Sequence, residues 1–320
     1  VFLLACKVVL LGPVWCRLLP GPGAAPSPVQ LLSVIILTFN EEAHIERCIH
    51  SLLPVTDQIF IVDSGSTDRT VALAEALGAV VVRNSWVTYA QQFNFGIQHT
   101  PFRTSWLMRM DADEYLMPEL ATEIAQRLPA LSDEVTGVYV KRRVMFMNRW
   151  IRHGGYYPTW LLRLWRMGVG TCEQTWMDEH ITLAQGRTVQ FEHDLVDHNL
   201  NNLTWWTQKH NQYAIREVID LLNIRYNFGE NETVKPNLWG TQEQRKRYLK
   251  VRYASAPLFT RPVVYFLYRY VLKGGFLDGT KGFIWHFLQG LWYRFLVDAK
   301  VYEVFHRAGR DKQAILRFFK

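Results

Sequence analysis

The sequence predicts an α/β protein with a mainly parallel sheet, followed by a helical region rich in aromatic residues. Three observations carry this. Across residues 32–116, apolar and β-branched runs of strand length alternate with stretches of helix length. Polar residues close those runs at Asn40, Asp63 and Asp111. From Thr241 onward, Arg and Lys interleave with Trp, Tyr and Phe. Strands alternating with helices form a parallel sheet covered by helices, and such sheets bind ligands beyond the carboxyl ends of their strands. Three polar strand ends on one sheet edge are hard to explain as packing.

The elements follow in order. Residues 1–11 are apolar around Lys7, and residues 13–28 are rich in Pro, Gly and Ala. An apolar core ending near Ala24 and Ala25 resembles a signal segment, but the embedded lysine favours a poorly ordered extension over residues 1–30. Residues 32–40 form the first strand, and a helix runs from about Ala43 to Leu53. Residues 58–63 form a second strand ending in Asp63. Ser64 to Asp68 make a turn, and Asp68 caps a helix through about Leu77. Residues 79–83 form a third strand. Residues 106–111 form a fourth, ending in Asp111-Ala112-Asp113-Glu114, and a helix begins near Pro118. At a strand end, carboxylates spaced i, i+2 lie on one face. Both can then reach one hard cation, Mg²⁺ or Mn²⁺, whose other ligands are water and a substrate diphosphate.

The set Thr38 to Glu42, Val62 to Thr70, Gln91 through Asn94-Phe95-Gly96, and Asp111 to Glu114 resembles the family 2 glycosyltransferases of the GT-A fold. The matching motifs cover roughly residues 32–185. The later half is similar to the bacterial subgroup of lipopolysaccharide-core β-glucosyltransferases. This resemblance implies a nucleotide-diphosphate sugar donor, a divalent cation (Mg²⁺ or Mn²⁺), and inversion at the anomeric carbon. It implies a catalytic domain over residues 31–200 and a helical C-terminal region over 201–320.

The resemblance also suggests roles. Thr38, Phe39, Asn40, Glu42, Asp63, Asn94 and Asp111 are expected around the donor, with Asp63 accepting from the base N–H. Phe39 either packs near the base or belongs to the core. Asp113 is the expected metal ligand, and Asp111 bonds ribose or a metal-bound water. His198 is a candidate additional ligand to metal or diphosphate, and His193 a weaker one. Inverting transfer needs a carboxylate to take the acceptor proton. Within residues 176–180, Glu179 is favoured as that base and Asp178 is the second choice. Arg83, Lys209, His210 and Tyr213 could flank donor or acceptor, and Gly154 to Tyr157 reads as an acceptor-side loop.

Composition bounds the alternatives. Of 320 residues, 49% are hydrophobic and 20% charged, which indicates a globular chain with an appended region. The formal net charge of +7 suits anionic partners, yet no nucleic-acid module is recognisable. Cys6, Cys16, Cys48 and Cys172 show no metal spacing and read as reduced intracellular thiols, so the sequons at Asn202 and Asn231 carry no meaning. There is no uncharged apolar run of spanning length. The basic cluster from Arg245 to Arg252 and the apolar stretches from Pro257 to Val304 instead suggest helices lying in an anionic membrane interface. On a helical wheel His286, Gln289/Gly290, Arg294 and Asp298 form one narrow polar stripe. The expected protein is therefore a cytoplasmic enzyme, peripheral at the inner face of the cell membrane. It would act on a saccharide or lipid-linked saccharide in cell-envelope or extracellular polysaccharide synthesis. A related nucleotidyltransferase and a catalytically silent nucleotide-sugar-binding protein are the competing readings.

Overall fold

A computed structural model describes residues 31–318 apart from 103, 174–179, 227–236, 238 and 240–241. The first four strands are β1 (Leu32–Thr38), β2 (Ile59–Asp63), β3 (Val80–Arg83) and β4 (Trp106–Asp111). They are interleaved with α1 (Ile45–Leu52), α2 (Thr70–Ala76) and α3 (Tyr89–His99). Every residue of β2 is buried, as a strand covered on both faces requires. β1 pairs in parallel with β2 and β4, and β2 with β3. The register sets Leu37 opposite Asp111 and Thr38 opposite Asp63, so the polar strand ends meet at one edge.

The sheet continues through β5 (Glu114–Leu116), β6 (Val135–Phe146), β7 (Arg149–Ile151), β8 (Thr159–Arg166) and β11 (Arg187–Asp197). Its order is β3-β2-β1-β4-β8-β6-β11-β5, with β7 on β6. β8 joins β4 and β6 antiparallel, so the sheet is mixed beyond β4. β9 (Gly170–Cys172) and β10 (Ile181–Leu183) form a separate two-stranded ribbon. Pro118 occupies the first turn of α4 (Pro118–Arg127), where a missing N–H costs nothing. Cys48 and Cys172 are buried and form no disulfide among the described residues.

After β11 the chain becomes helical: α5 (Leu203–Tyr226), α6 (Gln242–Ser255), α7 (Thr260–Leu267), α8 (Gly279–Trp285), α9 (Tyr293–Ala308) and α10 (Lys312–Phe318). The Asn202 side chain accepts from the Trp205 N–H at 3.0 Å, capping α5. A second core forms where Val218, Leu221 and Leu222 of α5 meet Val297, Val301 and Val304 of α9. Phe146 at the end of β6 packs on Trp285 (5.2 Å between ring centroids) and Trp206 (6.4 Å), joining the helices to the sheet. Residues 286–292 continue from α8 into α9 as a wide helical turn.

The polar stripe expected at 286–298 points inward. His286 and Asp298 are fully buried, while Phe283, Phe287 and Phe295 of the same helical run are 40–45% exposed. α7 and the turn after it likewise expose Val264, Leu267 and Leu272. Among the described residues, no helix is long and apolar enough to cross a membrane.

Candidate functional site

A cleft of about 2660 Å³ opens over the edge where β1 and β4 end and extends to the C-terminal helices. Of the residues expected at the site, Thr38, Phe39, Asn40, Asp111 and Asp113 line it. Phe39 is 57% exposed, which removes the core alternative, and Trp86 stands in the same lining at 41%.

Asp111 is held by three neighbours. Tyr89 donates to its Oδ1 at 2.6 Å and Arg163 to its Oδ2 at 3.2 Å, and Arg109 Nε lies 3.8 Å from Oδ1. Burial pushes the carboxyl up, but Arg109 and Arg163 outweigh it and hold Asp111 below the usual carboxylate range. Arg163 also pairs with Glu114, whose Oε2 accepts from the Asp111 N–H at 3.0 Å. Glu114 is 1% exposed. Burial and the nearby Asp111 charge raise it to about 8 despite Arg163.

Asp113 is set differently. Its Oδ2 accepts from Asn199 at 3.0 Å, and no other partner of that carboxylate is present among the described residues. Its backbone is pinned from α1: Arg47 donates to the Asp113 carbonyl at 3.0 Å and to the His198 carbonyl at 2.6 Å. Asp113 therefore has a carboxylate oxygen to give to a cation, whereas both oxygens of Asp111 are engaged. No cluster of three or more His, Cys, Asp or Glu suited to a metal exists among the described residues. The donor set fits a cation that arrives with a diphosphate, not an all-protein cage.

Asp63, Glu42, Asn94, His193 and His198 lie off the cleft lining, whereas Asn40, Lys209, His210 and Tyr213 belong to it. Asp63 is 1% exposed and accepts four hydrogen bonds: Thr38 Oγ1 and Ser66 Oγ on Oδ1, Gly65 N and Ser66 N on Oδ2. Three of these bonds hold the turn after β2, and the bond from Thr38 ties that turn to the end of β1. Asn40 has φ 55 and accepts from Thr67 N at 2.8 Å, which ties the loop after β1 to the loop after β2. Glu42 closes the same junction by accepting from Arg69. Asn94 pairs both its amide atoms with the Cys172 backbone, at 2.9 and 3.0 Å, and so anchors β9 to α3. His198 has Nδ1 3.3 Å from Arg47 and Nε2 2.9 Å from Asn148 Oδ1. With a guanidinium donating to Nδ1 and Nε2–H donating to Asn148, its lone pair is occupied. His193 is bonded to Glu123 on α4.

Asp178 and Glu179 lie outside the described residues. Glu173 and His180, on either side of them, line the cleft, and Glu173 N donates to His180 O at 2.9 Å. Lys209 on α5 also lines the cleft. Burial lowers its ammonium, but Tyr213, Asp113 and Glu41 outweigh that and raise it. Tyr89, Arg163, Arg47 and Asn199 were not anticipated. For Arg163 the signal existed: a lone cation inside the apolar run Leu161–Trp165 must find a buried acid.

An Asp-x-Asp pair closes β4 at the edge of a mixed sheet, and comparison with known proteins assigns the chain to a family. The model of the family described as Glycosyl transferase family 2 matches residues 33–192. The lipopolysaccharide core biosynthesis glycosyltransferase LpsC of Rhizobium meliloti is 30% identical over 286 residues, 86% of this chain and 93% of its own length. The chain belongs to glycosyl transferase family 2. An uncharacterized glycosyltransferase of Rickettsia bellii is 45% identical over 118 residues; the match covers 37% of this chain and only 40% of that relative. Glucosyl-3-phosphoglycerate synthase of Mycobacterium tuberculosis, solved with Mn²⁺, UDP and glucosyl-3-phosphoglycerate, aligns over 36% of this chain and 44% of its own. The identity is 25% and the TM-score 0.30, an overlap too partial to bear on this chain's ligands.

Proposed function

We propose that this protein transfers a sugar, with inversion, from a nucleotide-diphosphate sugar to a saccharide or lipid-linked saccharide in envelope polysaccharide synthesis. The observation that supports this most is the asymmetry of the acidic pair. Asp111 is locked by Tyr89 and Arg163, while Asp113 keeps a carboxylate oxygen uncommitted at the cleft. A divalent cation bound there supplies positive charge to the departing diphosphate. Asp113 would hold it, Asp111 would orient ribose or a bound water, and Phe39 and Trp86 offer aromatic faces to the base. Asn40, Glu42, Asp63 and Asn94 act by shaping the loops and β9 around the donor. His198 would become a ligand only by releasing Arg47. The proton of the acceptor hydroxyl goes to Glu179, or to Asp178. The cytoplasmic membrane face is the proposed location. Support comes from the inverted C-terminal helices, whose apolar side chains face outward while Asp298 and His286 face in.

Glu179→Gln tests the base, with initial rates and product anomer as readouts. A loss on the order of a hundredfold with donor binding kept is expected. Near-normal activity in both Glu179→Gln and Asp178→Asn, or a product with retained configuration, rejects the mechanism.

A further inference from the structure

At the C-terminal end of the cleft, two cations lack acids. Arg294 of α9 lies 4.0 Å from the ring centroid of Tyr265 and 5.2 Å from that of Tyr253. Its buried Nε has no hydrogen-bond partner among the described residues. Arg269 donates to Tyr265 Oη at 3.0 Å and to the Gly154 carbonyl at 2.7 Å. Neither has a carboxylate at ion-pair distance among the described residues. The neighbouring acids are already engaged. Asp298 takes Arg261 and the Phe259 N–H, Asp278 takes His153, and Glu217 and Asp220 share Lys250. Two guanidinium groups thus converge on one phenol. Burial raises Tyr265, but Arg294 and Arg269 overcome it and pull the phenol below its ordinary value. Both side chains are half-buried, and two positive charges with no acid beside them among the described residues make this end of the cleft complementary to an anion. Lys273 also lines the cleft.

We propose that Arg294 and Arg269 form a subsite for a phosphate or carboxylate carried by the sugar acceptor. This deepens the transferase reading and rests on it. The acidic pair at the β4 end and this basic pair line one cleft, which would hold the acceptor's anion at the end away from the cation-binding carboxylates. Val264 and Tyr268 line the cleft and are also 65% and 45% exposed, so the subsite opens onto the outward apolar face. An amphiphile with an anionic sugar could place its apolar part there.

The test is calorimetric titration of the full chain, with UDP and Mn²⁺ saturating, using glucose 6-phosphate, glucuronate and methyl glucoside. Wild type should bind both anionic sugars and bind methyl glucoside at least tenfold more weakly. Arg294→Gln and Arg269→Gln should each weaken the anions tenfold or more, and Arg294→Lys less. If the glutamine variants do not fold, the wild-type contrast between charged and neutral sugars decides. Equal affinity for all three sugars, or unchanged binding in folded Arg294→Gln, overturns the proposal. Binding of short-chain phosphatidylglycerol without either sugar acid assigns the anion to a lipid headgroup and overturns the acceptor assignment. UDP binding in the same wild-type protein is read separately. Its absence would sink the transferase reading while leaving the anion site measurable.

Discussion

Replacing Arg163 with Met should expose how the acidic pair is kept in place. Arg163 is 3% exposed and bridges Asp111 and Glu114. Methionine fills much of the same volume but leaves both carboxylates without this partner. Asp111 keeps Tyr89 at 2.6 Å and Arg109 at 3.8 Å. Glu114 keeps only the Asp111 N–H among the described contacts, at 1% exposure. Breaking a buried ion pair from one side costs about 3–5 kcal/mol, because a charge is stranded. The second substitution Glu114→Gln removes a carboxyl that is ionised only above about pH 8, so in urea unfolding at about pH 9 the double variant should recover about 2 kcal/mol relative to additivity. Urea unfolding of wild type, both single variants and the double variant measures the cycle, and UDP affinity with Mn²⁺ follows the site. A cost below about 1 kcal/mol for Arg163→Met, or strict additivity, would refute the view that this arginine neutralises a buried acid pair.

Asp113→Asn should fold normally yet lose metal-dependent UDP binding and transfer; full transfer by the folded variant in excess EDTA would overturn the metal assignment. His286 is fully buried, and burial pushes its ring down to about 4. Its stabilising contribution is therefore present above its unfolded value of about 6.5 and is lost as pH falls towards 4, an expected drop of about 2 kcal/mol between pH 7 and pH 5. Urea midpoints should show that drop in wild type and a smaller one in His286→Gln. A Cβ at Gly96 would lie 2.8 Å from Val62 Cγ2, so Gly96→Ala should cost about 1–3 kcal/mol by lifting α3 from the sheet, read as a lowered melting temperature. The full chain should sediment with anionic vesicles at low salt, and salt should weaken but not abolish this, since burial of the apolar face is insensitive to screening. Recovery in the supernatant at low salt would leave the exposed faces of α7 and α8 without a membrane role.

By itself the sequence determined what local periodicity and strand chemistry encode. Runs such as 32–38 and 59–63 are too apolar and β-branched to be anything but buried strands. Pro118 starts α4 where an unbonded N–H is free of cost. The Asp-x-Asp pair at a strand end followed from spacing alone. Tertiary structure decided which polar residues face the cleft and which are spent on architecture. Asn40, Glu42 and Asn94 hydrogen-bond to loops or backbone distant in sequence, and Asp63 adds Thr38 to the contacts of its own turn, so nothing in their own segments shows whether a lone pair remains for a ligand. Arg163 and Arg47 reach the acidic pair only because β8 and α1 pack beside the end of β4. The polar stripe at 286–298 was legible as a period, but its inward direction depended on what meets it, Gly154, Gly275 and Tyr156 around His286 and Arg261 on Asp298. Period fixes which side chains share a face; only packing fixes what that face meets.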